Sequence, residues 1–91
     1  MGKILRVEAL RQMDITEDRF GKPVFFSIKF HLKDGEIVFL PRAVKTGLRM
    51  NMKANRYRGV RPVDEKGNPT GHIYPVSIDN ILEFNLQTVK L

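Results

Sequence analysis

Residues 23–32 read Pro-Val-Phe-Phe-Ser-Ile-Lys-Phe-His-Leu, a run with strict two-residue alternation. Val24, Phe26, Ile28, Phe30 and Leu32 fall on one face of an extended chain, with Phe25, Ser27, Lys29 and His31 on the other. Such a run defines a half-buried strand, because successive side chains of a strand point to opposite faces. Lys33-Asp34-Gly35-Glu36 follows. Asp-Gly signals a two-residue hairpin, since both central residues of a type I′ turn need positive φ. Residues 36–40 return with Ile37, Val38, Phe39 and Leu40. An antiparallel hairpin over 23–40 is therefore expected, and a one-residue slip would turn Ile28 out and Lys29 in.

The rest of the chain supplies more short extended segments. Residues 3–10 carry Ile4, Leu5, Val7, Ala9 and Leu10, interrupted by Arg6 and Glu8, and read as a short strand. Residues 11–21 collect Asp14, Thr16, Glu17, Asp18 and Gly21 and read as a connecting loop or wide turn. Residues 58–63 and 72–78 read as a second hairpin around the turn-rich 64–71. Pro62 and Pro75 place that hairpin at a sheet edge, where a missing N–H costs no ladder bond. Residues 81–84 read as a strand or a helical turn, Asn85 as a turn, and Leu86, Val89 and Leu91 finish the chain.

Residues 41–55 read differently. Pro41 suits the first turn of a helix. At 100° per residue Arg42, Lys45, Arg49, Lys53 and Arg56 form one narrow stripe, opposite Ala43, Val44, Leu48, Met50 and Ala54. Gly47 opposes a helix by about 1 kcal/mol relative to Ala. From Arg49 onward a strand is the alternative, with Met50, Met52 and Ala54 on one face. The expected fold is mainly β (α+β), a single domain over 1–91. It is a small curved antiparallel sheet or partly open barrel of five to six short strands, with one helix at about 41–55.

At 91 residues, with 42% hydrophobic residues and six Phe, the chain has material for one modest core. The absence of Cys excludes disulfides, a thiol nucleophile and thiolate zinc sites, and suits a reducing, cytoplasmic setting. No signal-peptide-like apolar run opens the sequence, and no stretch is apolar for a membrane-spanning length. His31 and His72 have no metal-ligand spacing, the acids match no calcium loop, and the glycines form no phosphate-binding loop. No catalytic residues, metal ligands or cofactor are expected, and enzyme is the disfavoured class.

Charge gives the functional expectation. Arg42, Lys45, Arg49, Lys53, Arg56, Arg58 and Arg61 place seven bases and no acid within 42–61, so this segment is +7 and the remainder −1. A local excess of this kind points to nucleic acid, because clustered bases release condensed counterions from phosphates. Arg56-Tyr57-Arg58 adds an aromatic ring between two guanidinium groups, a combination suited to gripping phosphate and stacking on an unpaired base. A helical segment would favour duplex; an extended one on a curved sheet would favour single strands. The structural alternative is a solvated basic face paired with acids such as Asp14, Glu17 or Glu83. A second functional class is an interaction module binding an acidic protein, or adding a strand at an edge such as 73–78 or 86–91, with a symmetric homodimer as one form.

Overall fold

The computed structural model describes residues 2–46 and 56–91. Among them are strands β1 (Lys3–Leu5), β2 (Phe26–His31), β3 (Ile37–Thr46), β4 (Tyr57–Pro62), β5 (Tyr74–Ser77), β6 (Ile81–Phe84) and β7 (Gln87–Lys90). One helix, α1 (Arg6–Met13), follows β1, and a single 3-10 turn (Ile78–Asn80) links β5 to β6. The architecture is mainly β with one helix, in a seven-stranded sheet of order β1-β7-β6-β2-β3-β4-β5. All pairs are antiparallel except β1 with β7. The ladder stays open, with β1 and β5 as its end strands.

Over Phe26–His31 the central hairpin has the expected faces, whereas Val24 and Leu32, expected on the buried face, are half-buried and lie outside β2. Phe26, Ile28 and Phe30 are buried, while Ser27, Lys29 and His31 are half-exposed on the opposite face. Phe26 and Phe84 pack with ring centroids 5.3 Å apart. Its turn is one residue longer than a two-residue hairpin. Leu32 N–H donates to Glu36 O and Gly35 N–H to Leu32 O, and Gly35 alone has positive φ, at 91°. This is the three-residue loop in which a type I turn ends on a left-handed residue. The same bonding recurs from Asp18 to Lys22, with Gly21 in that position, and from Asp64 to Asn68, with Gly67. In both copies the leading carboxylate accepts two further backbone N–H groups, those of Phe20 and Lys22 and those of Lys66 and Asn68. The type I′ geometry instead falls at Asn85-Leu86, where φ is 50° and 64° and Phe84 pairs with Gln87.

β3 is ten residues long and bends. Ile28 faces Leu40 but Phe26 faces Ala43, so Pro41 and Arg42 together oppose Ser27 in a bulge. The bulge absorbs the proline's missing N–H. Below it, Ala43 to Thr46 turn to pair with β4. The helix expected at 41–55 is thus replaced by strand over 41–46; residues 47–55 lie outside the described residues. The basic stripe misled because charged residues at helical spacing bring no burial. Val44 and Thr46 are β-branched and suit extended backbone, and Ala43 faces Phe26 on one side and Pro62 on the other.

β2 and β5 are three places apart, about 14 Å in a flat sheet. Yet the Phe30 and Tyr74 rings meet edge to face at 5.5 Å. The three-residue 3-10 turn likewise carries the chain from β5 to β6 across four places of the order. The sheet therefore folds its apolar face inward.

The expected strand over 3–10 gives way to α1 after Leu5. Arg6-Val7-Glu8-Ala9-Leu10-Arg11-Gln12-Met13 is rich in helix formers. Glu8 accepts from Arg11 and Gln12, one turn on. Ala9 and Met13, fully buried, cover the core face beside Ile4. The C-terminal strand β7 is also not an edge, as the strand-addition reading over 86–91 assumed: β1 and β6 flank it. Of the second hairpin, expected at the edge, only β5 is an end strand, with Pro75 opposite Gly59; β4 lies between β3 and β5, and its Pro62 pairs with Ala43.

Candidate nucleic-acid interface

The cross-strand register distributes the basic residues between two faces. On β3 and β4 the pairs Ala43–Pro62 and Lys45–Val60 belong to the core face, and Val44–Arg61 and Thr46–Gly59 to the outer one. On β4 and β5, Arg58–Val76 belongs to the core face and Tyr57–Ser77 to the outer. Extended backbone thus separates neighbours that a helix would have gathered in one stripe.

Lys45 and Arg58 converge on one acid. Lys45 Nζ lies 2.9 Å and Arg58 Nε 3.3 Å from Asp14 Oδ1, and the two basic side chains are 22% and 20% exposed. Arg58 Nε is sealed from water and, although at ion-pair distance, forms no well-directed hydrogen bond; its Nη1 donates to Tyr57 O at 3.3 Å. Asp14 caps the C-terminus of α1, where the helix dipole disfavours an anion. The two cations offset that and fasten the helix end to β3 and β4. These two bases are structural in this arrangement.

Arg56 is held similarly. Its Nη2 donates to Asp79 Oδ1 at 3.1 Å, and Arg6 Nη1 donates to the same oxygen at 2.8 Å. The Arg56 bond, aided by both positive charges, holds the Asp79 carboxyl below its ordinary range. Arg56 also has positive φ, 57°, and its carbonyl accepts from Ile78 N–H, so this residue ties β4 to the 3-10 turn.

Arg42 and Arg61 form no ion pair among the described residues. Arg42 stands in the bulge with its guanidinium carbon 5.8 Å from the Phe25 ring centroid. That ring rests on Gly67 of the neighbouring turn. A groove of about 300 Å³ runs past Phe25, Ser27, Pro41, Arg42 and Leu86. A cavity of about 680 Å³ adjoins the other side of Arg42, where Asp64 and Glu65 offset the charge of Arg42 and Lys66. Arg49 and Lys53 lie outside the described residues. The structure thus brings Arg42, Tyr57 and Arg61 to the outer side and takes Lys45 and Arg58 to the core side.

The alternation of β2 also brings residues outside the basic segment to this outer side. Lys29 and His31 share it with Phe39 and Ile37, and both apolar residues are exposed, at 47% and 58%. Glu83, opposite Lys29 on β6, pairs with it at 3.5 Å. A corner cavity of about 340 Å³ joins His31 and Lys33 to Tyr57, Ser77 and Asn80. Only the bend of the sheet unites these, so sequence spacing carried no signal for it. Among the described residues no group of His, Cys, Asp and Glu forms a metal site, and no helix is long and apolar enough to cross a membrane. No family model, curated protein or solved structure matches this chain.

Proposed function

We propose that this chain is a small nucleic-acid-binding domain acting on single strands through the outer face of its sheet. The observation that carries the reading is the extended course of 42–46 and 57–62. It puts Arg42, Arg61 and Tyr57 on the outer side while Lys45 and Arg58 are consumed by Asp14. A curved surface with spaced guanidinium groups and accessible rings suits a flexible strand, whose bases stack singly and whose phosphates follow the charges. The duplex alternative depended on a basic helix for a groove, and Arg42 and Lys45 sit on a strand instead. Edge pairing by another chain is the weaker reading, because Pro75 interrupts the four-residue β5.

The test is fluorescence anisotropy with a labelled oligomer of about 30 nucleotides, single- and double-stranded, over a range of salt. Three to five phosphate contacts give a slope of log affinity against log salt of about −2 to −3.5 on single strands. Arg42→Glu with Arg61→Glu should weaken binding to unrelated sequences alike, since phosphate contacts position without specifying. Equal or tighter binding to duplex, or no binding at micromolar protein and low salt, overturns the proposal.

A further inference from the structure

We propose that the corner cavity is a subsite for one nucleotide unit of a single strand, with Tyr57 as the stacking ring. The inference rests on the single-strand reading above and adds the place where a base and its phosphate are held.

The corner exists because β5 ends where β6 begins. The 3-10 turn sets Ser77 and Asn80 beside the end of β2, and Tyr57 faces Ser77 across the β4–β5 ladder. The resulting cavity of about 340 Å³ is at the lower end of small-ligand pockets. Its walls divide by chemistry. Tyr57 and Pro75 offer flat apolar surface to a base. Ser77 Oγ already accepts from Asp79 N–H at 3.4 Å, which leaves its own hydrogen to donate. The half-buried Asn80 amide makes no side-chain hydrogen bond among the described residues, so it has both a donor and an acceptor for a base edge. Lys33, exposed at the β2–β3 turn, flanks the opening and supplies the cationic side for a phosphate, and His31 lines the cavity beside it.

Three acids lie near the corner in sequence: Asp34 and Glu36 share the turn with Lys33, Asp34 accepting from Glu36 N–H, and Asp79 is ion-paired. Asp79, adjacent to Asn80, is bound by both Arg6 and Arg56, so its charge is already compensated. A strand lying from this corner along β4 would meet Arg61 and then Arg42, consistent with one unit here and phosphates beyond.

The test is NMR titration of the intact chain with inorganic phosphate, a nucleoside 5′-monophosphate, and a single-stranded hexanucleotide. The monophosphate should shift the Tyr57, Ser77 and Asn80 signals more than phosphate alone does. The hexanucleotide should shift the same signals with at least about tenfold tighter binding, because neighbouring phosphates add contacts. Tyr57→Ala should cost the hexanucleotide about tenfold or more in affinity and Tyr57→Phe little, the signature of stacking. Lys33→Ala, at an exposed turn position that the fold does not need, should weaken binding and flatten its salt dependence. A hexanucleotide that perturbs Arg42 and Arg61 but leaves the corner silent overturns the subsite and leaves the single-strand reading standing. A monophosphate that binds more tightly than the hexanucleotide also overturns it, by marking a free-nucleotide site. No response to any of the three overturns the single-strand reading itself.

Discussion

Phe30 and Tyr74 provide the sharpest test of the fold, because their contact exists only if the sheet bends. Phe30 is 1% exposed, and the ring of Tyr74 meets it edge to face at 5.5 Å. Truncation to Ala removes a fully buried aromatic side chain and leaves a cavity, costing about 3–5 kcal/mol. A domain of this size has roughly 5–14 kcal/mol of stability, so the loss is a large fraction of the whole. A milder set isolates the contact itself. Phe30→Leu, Tyr74→Leu and the double variant form a cycle whose coupling should be about 0.5–1.5 kcal/mol, the worth of an edge-to-face pair beyond its buried area. Urea unfolding followed by circular dichroism gives the four stabilities. Effects that add to within about 0.3 kcal/mol would show a sheet without this bend, since residues on a flat sheet three strands apart have no means of coupling.

Three other outcomes follow from the side-chain network. Asp14→Asn strands Lys45 and Arg58, both about four-fifths covered, and should cost roughly 1–3 kcal/mol by thermal or urea unfolding, less than a fully buried pair because Asp14 is 45% exposed. Glu8 is held at about 2, chiefly by its bond from Arg11 and then by that from Gln12. Its folded value is depressed, so its contribution is fully present above about 4.5 and is lost as pH falls towards 2. Asp64, through the backbone N–H of Asn68, and Asp79, through Arg56, are lowered in the same sense. Stability should therefore fall over that acid window, and a Glu8 carboxyl carbon titrating near 4.5 by NMR would contradict it. Gly35→Ala forces a side chain to φ 91° and should cost about 1–2 kcal/mol in unfolding midpoint measurements although nothing lies within 4 Å of the new Cβ; an unchanged midpoint would show a different turn.

The parts of the fold that were legible in the sequence are those decided locally. The alternation of Phe26, Ile28 and Phe30 specified its buried face, and Asp-Gly marked the turn even though the loop is one residue longer. α1 was obscured because Ile4 and Leu5 belong to β1, so a strand and a helix with different periods abut without a break. Residues 41–46 were obscured for the opposite reason. Their bases repeat at helical spacing, but the partners that hold them extended, Phe26 and residues 59–62, are distant in sequence. The same holds for the candidate site. Charge density and Tyr57 could be read directly. The pairing of Lys45 and Arg58 with Asp14, of Arg56 with Asp79, and the corner joining His31 to Ser77 all depend on long-range closure of the chain.

Arginine side-chain NMR reads the division of bases between the two faces of the sheet. On addition of a single-stranded oligonucleotide, the Nε–Hε signals of Arg42 and Arg61 should move and broaden. That of Arg58, sealed beside Asp14, should stay in place. Movement of Arg58 with Arg42 and Arg61 unchanged would reverse this division, because the strand would then lie on the face that this fold assigns to its core.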